Sequence, residues 1–413
     1  MTRTLLTGNA VAAWGARLAD VDYVPAFPIT PQTEIIELLS RWSAEGQLAA
    51  RVVMLESEHS MITAAGAAAA TGARVFTATS SQGLLYGMEM LYTVAGWRVP
   101  LVMVNVSRGL AAPITLEPDH NDIMAARDSG FLQIHCANCQ EVLDSVLMAY
   151  RLSEHAEVRL PVIVNLDGFY LSFTREPVEL PEPTDAAAFV GAFAPGQAPL
   201  RAGHPTAHAV AVLGGGPYSY FRYESHLAAL RAAEVYDQVA AEFDATFGRH
   251  HPAVEAYRAD DAEVLLVMLG SFATKAREAV DRLREAGRRV GLLRPRLYRP
   301  FPAEAFRAAA AGRSAVAVID QNLSLGFGGV LYGELASALA GMAPPPRALL
   351  SFVGGLGGRD ISLEELFEIA RVAGEAGESG QAPPPRLLYT RAELREMRKL
   401  QAVAHVARTA EDA

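Results

Sequence analysis

Short apolar runs that alternate with longer stretches of helical period constrain this chain more than any other feature, because that alternation is the signature of a parallel sheet covered by helices. RVVMLE (Arg51 to Glu56) reads as a buried strand, SEHSMITAAGAAAATG as a helix closed by Gly72, and ARVFTATS as the next strand. SSQG (Ser80 to Gly83) reads as a turn, LLYGMEMLYTVAGW as a helix, and VPLVMVNVS (Val99 to Ser107) as another buried strand. LPVIVNLDG adds a strand that ends near Gly168. Upstream, LLTGNAVAAW loosely imitates a signal peptide, but Gly8-Asn9 interrupts it and the pattern runs on through Arg17, so a first amphipathic helix is expected there.

The alternation resumes near Ala262. EVLLVMLGS, VGLLRP and SAVAVIDQN read as strands, with TKAREAVDRLREAGRR a charged surface helix between the first two. Between the two units, FTREPVELPEPTD and a stretch rich in Pro, Ala and Gly up to about Thr206 have neither period and read as a connector; helical segments span Ser225 to Phe247. AGEAGESGQAPPP (Ala373 to Pro385) reads as a low-complexity linker, followed by a charged helix from about Ala392. The expected fold class is therefore α/β with two doubly wound domains. The first covers residues 1–250, with its connector at about 181–250, the second 251–372, and 373–413 form a linker and C-terminal helix. A length of 413 residues suits two or three domains.

Composition removes several functions. With 51% hydrophobic residues the chain buries a large core, and a net charge of −10 argues against nucleic acid or an anionic membrane as the main partner. No apolar run reaches the roughly 18 to 20 residues of a membrane span. Two cysteines build no disulfide framework, and one iron–sulfur cluster ordinarily takes four thiolates, so the chain is not expected to hold a cluster unaided. A reducing cytoplasm fits best.

Three segments carry candidate chemistry. From Glu56 to Gly72 a buried strand ends in Glu-Ser-Glu-His and enters a helix of small residues, which suits a domain or subunit contact. A carboxylate at that strand end lies where open α/β sheets bind ligands. The bland alternative is that Glu56 and Glu58 only favour the helix dipole, by about 0.3 to 1 kcal/mol. In FPITPQTE (Phe27 to Glu34), Pro31 biases Thr30 to an extended backbone that holds its hydroxyl at a defined angle; the plainer reading makes Thr30 a helix N-cap. In Asn105-Val106-Ser107-Arg108-Gly109 a strand ends in an arginine whose fork suits a carboxylate or phosphate, although such arginines commonly pair with a surface acid. Cys136 and Cys139 form a CxxC without a second pair and are read as structural. Gly214-Gly215-Gly216 reads as a turn.

FPITPQTE, ESEHSMITAAGAAAATGAR, FTATSSQGL, GMEMLYTVAGWRVPLVMVNVSRGLAAP, DHNDIMAARDSGFLQ and, far downstream, GSFATKA, DQNLSLGFGG and GGLGGRDIS occur in order along the chain. Together they resemble the alpha subunit of pyruvate:ferredoxin oxidoreductase, a family of thiamine-diphosphate-dependent 2-oxoacid:ferredoxin oxidoreductases. The resemblance implies an N-terminal domain of thiamine pyrimidine-binding type and a second, transketolase C-terminal-like domain. It implies that Glu58 hydrogen-bonds the pyrimidine ring nitrogen of the cofactor, and that Pro28, Ile29 and Gly83 also border the cofactor. Thr30 and Arg108 fall on residues that contact the 2-oxoacid, with Arg108 clamping its carboxylate. It makes Asp119-His120-Asn121-Asp122 a loop beside the site, and Gly354 to Asp360 a structural or interface loop.

The implied reaction is oxidative decarboxylation of pyruvate with coenzyme A to acetyl-CoA, carbon dioxide and reduced ferredoxin, or its reverse. The chain has no GDG of the kind that holds the diphosphate and magnesium in thiamine enzymes. A beta subunit is therefore implied to complete the site, with magnesium and [4Fe–4S] clusters on partners, gamma and delta type subunits beside it, and no metal on this chain. The acidic surface implies that ferredoxin docks elsewhere in the complex. Ile114 to Pro118 is atypical of pyruvate enzymes, which leaves a branched-chain or aryl 2-oxoacid as an alternative. A non-catalytic nucleotide-binding or scaffold subunit is a third reading.

Overall fold

The computed structural model describes residues 2–194, 200, 202–207 and 210–411. The chain begins with β1 (Thr2–Thr7), α1 (Gly8–Leu18), β2 (Tyr23–Ala26), α2 (Thr33–Ala44), β3 (Arg51–Met54) and α3 (Glu58–Ala70). It continues through β4 (Phe76–Thr79), α4 (Gln82–Tyr86), α5 (Met88–Gly96), β5 (Val102–Ser107), α6 (Asn121–Ala125), β6 (Leu132–His135), α7 (Cys139–Ser153) and β7 (Val162–Asp167). Then come β8 (Arg175–Leu180), α8 (Pro183–Val190) and α9 (Gly215–Phe247). The second half comprises β9 (Val254–Tyr257), β10 (Val264–Met268), α10 (Phe272–Glu285), β11 (Val290–Pro295), β12 (Leu297–Arg299), α11 (Ala303–Ala310) and β13 (Ala315–Asp320). It closes with α12 (Val330–Leu339), β14 (Ala348–Val353), α13 (Leu363–Ser379), β15 (Arg386–Leu387) and α14 (Arg391–Glu411).

The expected α/β class and its two sheets are present. The first sheet runs β12-β6-β7-β5-β4, parallel except for β12, and a parallel bridge from Tyr23 to Val75 joins it to the β2–β3 pair. The second runs β15-β14-β13-β10-β11-β9, parallel except for β9. Strand periodicity sorts the cores. Along β5, Val102, Val104 and Val106 face the layer of α1 and α7, while Met103 faces α3 and α5. Along β10, Val264, Leu266 and Met268 face α10 and α13, whereas Leu265 and Val267 face α11 and α12. Both faces of each sheet are covered, which is why these strands read as unbroken apolar runs.

Several details depart from the sequence reading. The segment read as the start of the connector instead forms β8, which pairs antiparallel with β1 from Thr2↔Leu180 to Thr7↔Arg175, and then α8. Part of the connector, residues 195–199, 201 and 208–209, lies outside the described residues. α9 begins ten residues before Ser225, at Gly215. The single helix expected after SSQG is two, broken at Gly87. The linker expected from Ala373 is helical through Ser379: a capping box of Ser362 and Glu365 starts α13, and Ala373 and Ala376 are buried on the second core. One face of the small-residue helix α3 packs closely on α5 of its own domain, where a Cβ on Gly66 would lie 2.4 Å from Val94 Cγ2; this leaves the expected contact of that helix with another domain or subunit untouched.

β12 was not foreseen. Immediately after β11 of the second sheet, the chain crosses to the first, pairs Leu297 with Ile134 and Arg299 with Gln133, and buries Leu297 in the first core. Among the described residues no helix is long and apolar enough to cross a membrane.

Candidate active site

The site is built at the C-terminal ends of β3, β4 and β5. Ser57 caps α3 by accepting from the Ser60 N–H at 3.2 Å, and this places Glu58 as the first helical residue. Glu58 is only 5% exposed, and no other described residue hydrogen-bonds its carboxylate. Burial accordingly pushes its carboxyl above the usual carboxylate range, against a backbone hydrogen bond that pulls it down. Glu56, the other acid of the tetrapeptide, is exposed and accepts from the Ser60 hydroxyl, so the structure separates the two. Glu58 faces the start of α4, where a Cβ on Gly83 would lie 2.4 Å from Glu58 Oε1 and 2.6 Å from Thr79 Oγ1. Only glycine fits without displacing the carboxylate. Nearby, the buried hydroxyls of Thr79 and Ser80 have no partner.

Arg108 leaves the end of β5 and joins two loops. Its Nη1 donates to the Thr30 carbonyl at 2.7 Å and its Nη2 to Gln82 Oε1 at 2.7 Å. Its Nε and the Gln82 Nε2 are both buried without partners. An arginine can only donate, so the Gln82 atom facing it is the oxygen, and the amide nitrogen is left over. Thr30 is not an N-cap: α2 starts at Thr33, behind Gln32, whose amide instead donates to the Phe27 carbonyl at 2.8 Å. The Asn9 amide donates to the Pro31 carbonyl at 2.8 Å and fastens the loop to α1; Pro28 is exposed and Ile29 half-buried. The structure thus joins Thr30 to Arg108 and Glu58 to Gly83, and adjacent Gln82 and Gly83 bridge the two pairs.

The Asp119-His120-Asn121-Asp122 segment lies beside this cleft. Its polar groups are spread over separate structural bonds: Asp119 accepts from the Gly357 N–H at 3.2 Å, Asn121 from the Leu323 N–H at 2.9 Å, and His120 Nε2 meets Asp167 Oδ1 at 2.7 Å. Burial works against protonation of His120, but Asp167 outweighs it and holds the imidazole above its ordinary range. Asp167 also accepts from the Ser271 N–H and hydroxyl of the second domain, at 2.7 and 2.6 Å. Asp122 was not singled out by its sequence context; the only signal was its place in that polar run. It is fully buried and accepts from the Ser107 hydroxyl at 2.8 Å and the Ile123 N–H at 2.7 Å. Among the described residues no group of three or more His, Cys, Asp and Glu could hold a metal ion.

Cys136 and Cys139 are buried free thiols; burial pushes Cys136 up to about 12, with Glu141 adding to it, and raises Cys139 as well. They line no part of the cleft described. The Gly354–Gly358 loop is an interface between the domains: the Gly358 N–H donates to the Pro118 carbonyl at 2.7 Å, and its carbonyl accepts from the Tyr170 hydroxyl. Gly214 to Gly216 do no more than open α9.

Two doubly wound α/β domains, with an unpartnered carboxylate and a guanidinium at the C-terminal strand ends of the first, define a ligand-binding member of the open-sheet class. The family described as "Pyruvate flavodoxin/ferredoxin oxidoreductase, thiamine diP-bdg" matches residues 14–243, and "Pyruvate:ferredoxin oxidoreductase core domain II" matches residues 262–366. The chain belongs to the pyruvate:ferredoxin oxidoreductase family. Pyruvate synthase subunit PorA of Methanothermobacter thermautotrophicus is 42% identical over 371 residues, covering 90% of this chain and 95% of that protein. Ketoisovalerate oxidoreductase subunit VorA of Pyrococcus horikoshii is 38% identical over 373 residues, covering 89% and 93%. The solved 2-oxoglutarate:ferredoxin oxidoreductase of Magnetococcus marinus shares the fold at a TM-score of 0.68 and 20% identity, over 92% of this chain and 65% of that one. The fold is that of a thiamine-binding type domain followed by a transketolase C-terminal-like domain.

The residues present fit the aminopyrimidine of thiamine diphosphate. A ring nitrogen needs one carboxylate with a free oxygen, and Glu58, hydrogen-bonded by no other described residue, offers it; Gly83, lacking a Cβ, leaves that carboxylate undisplaced.

Proposed function

We propose that this chain is the alpha subunit of a multi-subunit 2-oxoacid:ferredoxin oxidoreductase. Its reaction is oxidative decarboxylation of pyruvate with coenzyme A to acetyl-CoA, carbon dioxide and reduced ferredoxin, or the reverse. The observation that carries the reading is Glu58, a buried carboxylate whose only described hydrogen bond is to its own backbone and which packs so closely on Gly83 that a side chain there would displace it. When bound, thiamine diphosphate supplies the carbanion chemistry that breaks the bond between the keto carbon and the carboxylate of the substrate.

This chain's residues do the holding. Glu58 takes and returns a proton at the pyrimidine ring nitrogen, and its raised pKa suits that exchange. Gly83, Pro28 and Ile29 border the ring. Arg108 turns its fork to the substrate carboxylate, with Thr30 beside it, and this aligns the keto carbon. Residues 1–250 are assigned to the pyrimidine-binding domain with its connector, and the transketolase C-terminal-like domain begins at 251 and runs past the 372 boundary read from sequence, through α13 and β15. The diphosphate, with its magnesium, is held by a beta subunit, and the [4Fe–4S] clusters by gamma and delta type subunits through which ferredoxin is reached. Two buried thiols cannot supply a cluster's ligands. The assembly is assigned to the cytoplasm.

Pyruvate is favoured over a branched-chain or aryl 2-oxoacid by the higher identity to a pyruvate synthase subunit than to a ketoisovalerate one. A non-catalytic nucleotide-binding or scaffold role leaves the unpaired Glu58 without a purpose. The test is an assay of the purified complex with pyruvate, 2-oxoisovalerate, 2-oxoglutarate and phenylglyoxylate, with viologen as acceptor and thiamine diphosphate added or withheld. Pyruvate is expected to give the highest kcat/KM and to require the cofactor; activity independent of thiamine diphosphate would overturn the reading.

A further inference from the structure

Asp122 belongs to the polar run beside the cleft, and neither Glu58 nor Arg108 touches it through a side chain. Its Oδ2 nevertheless accepts from the backbone N–H of Ser81 at 3.0 Å, from the Asn105 amide at 3.1 Å and from the backbone N–H of Arg108 at 3.3 Å. The other oxygen is committed to the Ser107 hydroxyl and the Ile123 N–H. Two of these donors lie at the two halves of the cleft. Ser81 has φ 51° and ψ −122°, a backbone state that is strained for a non-glycine residue and persists only when neighbours impose it. That turn sets Gln82 against Arg108 and Gly83 against Glu58. The Arg108 N–H fixes the point from which the guanidinium reaches out.

We propose that Asp122 is a positioning residue that couples the pyrimidine side of the cleft to its carboxylate side, one oxygen holding the Ser81 turn and the Arg108 strand end in fixed relation. The inference rests on the functional reading of Glu58 and Arg108 given above. An asparagine cannot replace the carboxylate: the backbone N–H groups of Ser81, Arg108 and Ile123 lie on both sides, so one of them must face the amide nitrogen.

The test uses the assembled complex and two constants, the KM for pyruvate and the Kd for thiamine diphosphate, the latter by calorimetry on cofactor-stripped protein. Arg108→Lys is expected to raise the first alone, and Gly83→Ala the second alone. Asp122→Asn is expected to raise both, each tenfold or more. In a Ser81→Gly background, where glycine adopts positive φ unaided, the Kd should recover while the KM stays high; that double variant also carries the measurement if Asp122→Asn alone does not assemble. For Asp122→Asn alone, a lowered melting temperature with both constants within twofold of wild type would overturn the proposal, as would a change in only one of them; for the double variant, a KM within twofold of wild type or a Kd that stays high would overturn it. If Arg108→Lys and Gly83→Ala leave both constants unmoved, the reading of the cleft itself fails, and that outcome is separate from the failure of Asp122.

Discussion

Glu58 and Glu141 each occupy the first turn of a helix that follows a strand of the N-terminal domain, and each is nearly excluded from solvent. Glu141 accepts from Arg294 and Arg296, both at 2.7 Å, and from the Ala137 N–H at 2.9 Å. Arg294 continues the network to Glu255. Burial alone would raise Glu141, but the two arginines prevail and hold it down at about 2. Glu58, with no cation beside it, is displaced the other way. The same residue type in the same kind of position is a weld between domains where its charge is matched, and where it is not it is the candidate for the chemistry proposed above.

The comparison breaks first at Glu58. Glu58→Gln should lower kcat of the assembled complex by roughly 10² to 10⁴ with assembly and melting temperature retained; turnover at the wild-type level would remove the residue from the chemistry. Glu141→Gln should do the opposite. It leaves Arg294 and Arg296 short of a partner, at about 3–5 kcal/mol of stability, while turnover per folded complex is kept; denaturant unfolding read beside activity separates the two effects. Arg108→Lys keeps the charge and loses the fork, and should raise the KM for pyruvate about tenfold to a hundredfold with little change in melting. An unchanged KM would leave Arg108 as no more than the tie between the Thr30 and Gln82 loops.

The smallest effect is in pH. Glu141 has a folded pKa of about 2 against an ordinary 4.5, so its contribution is present above 4.5 and lost as pH falls toward 2; the melting difference between wild type and Glu141→Gln should narrow over that window. Glu58 is raised, so its contribution is full below 4.5 and lost as pH rises through the folded value. In cofactor-stripped complex, Glu58→Gln should therefore melt above wild type at neutral pH and not at pH 4. Parallel pH profiles for the two variants would erase the contrast.

Much of this was legible in the residues. The apolar runs of β5, β7, β10 and β13 announce strands buried on both faces, and Glu-Ser-Glu-His announces an acid at a strand end. What was hidden has physical causes. β8 pairs only with β1 and has a single buried residue, so it lacks an apolar signal, and that partner lies more than 160 residues away. β12 is three residues long. The end of α13 was masked by its Gly, Ala and Glu content, although Ser362 and Glu365 mark its start. The Glu58–Gly83 clearance and the Arg108–Gln82 bond join segments more than 20 residues apart, which no spacing rule reaches; the strings that resemble the family pointed to the residues, but not to their contacts.

β12 carries a last consequence. A chain that lends three residues of one half to the sheet of the other has no free hinge between those halves. Swinging one half away from the other would first tear a strand from its neighbour. The two halves are therefore spliced rather than merely stacked, and a strand three residues long is the rivet.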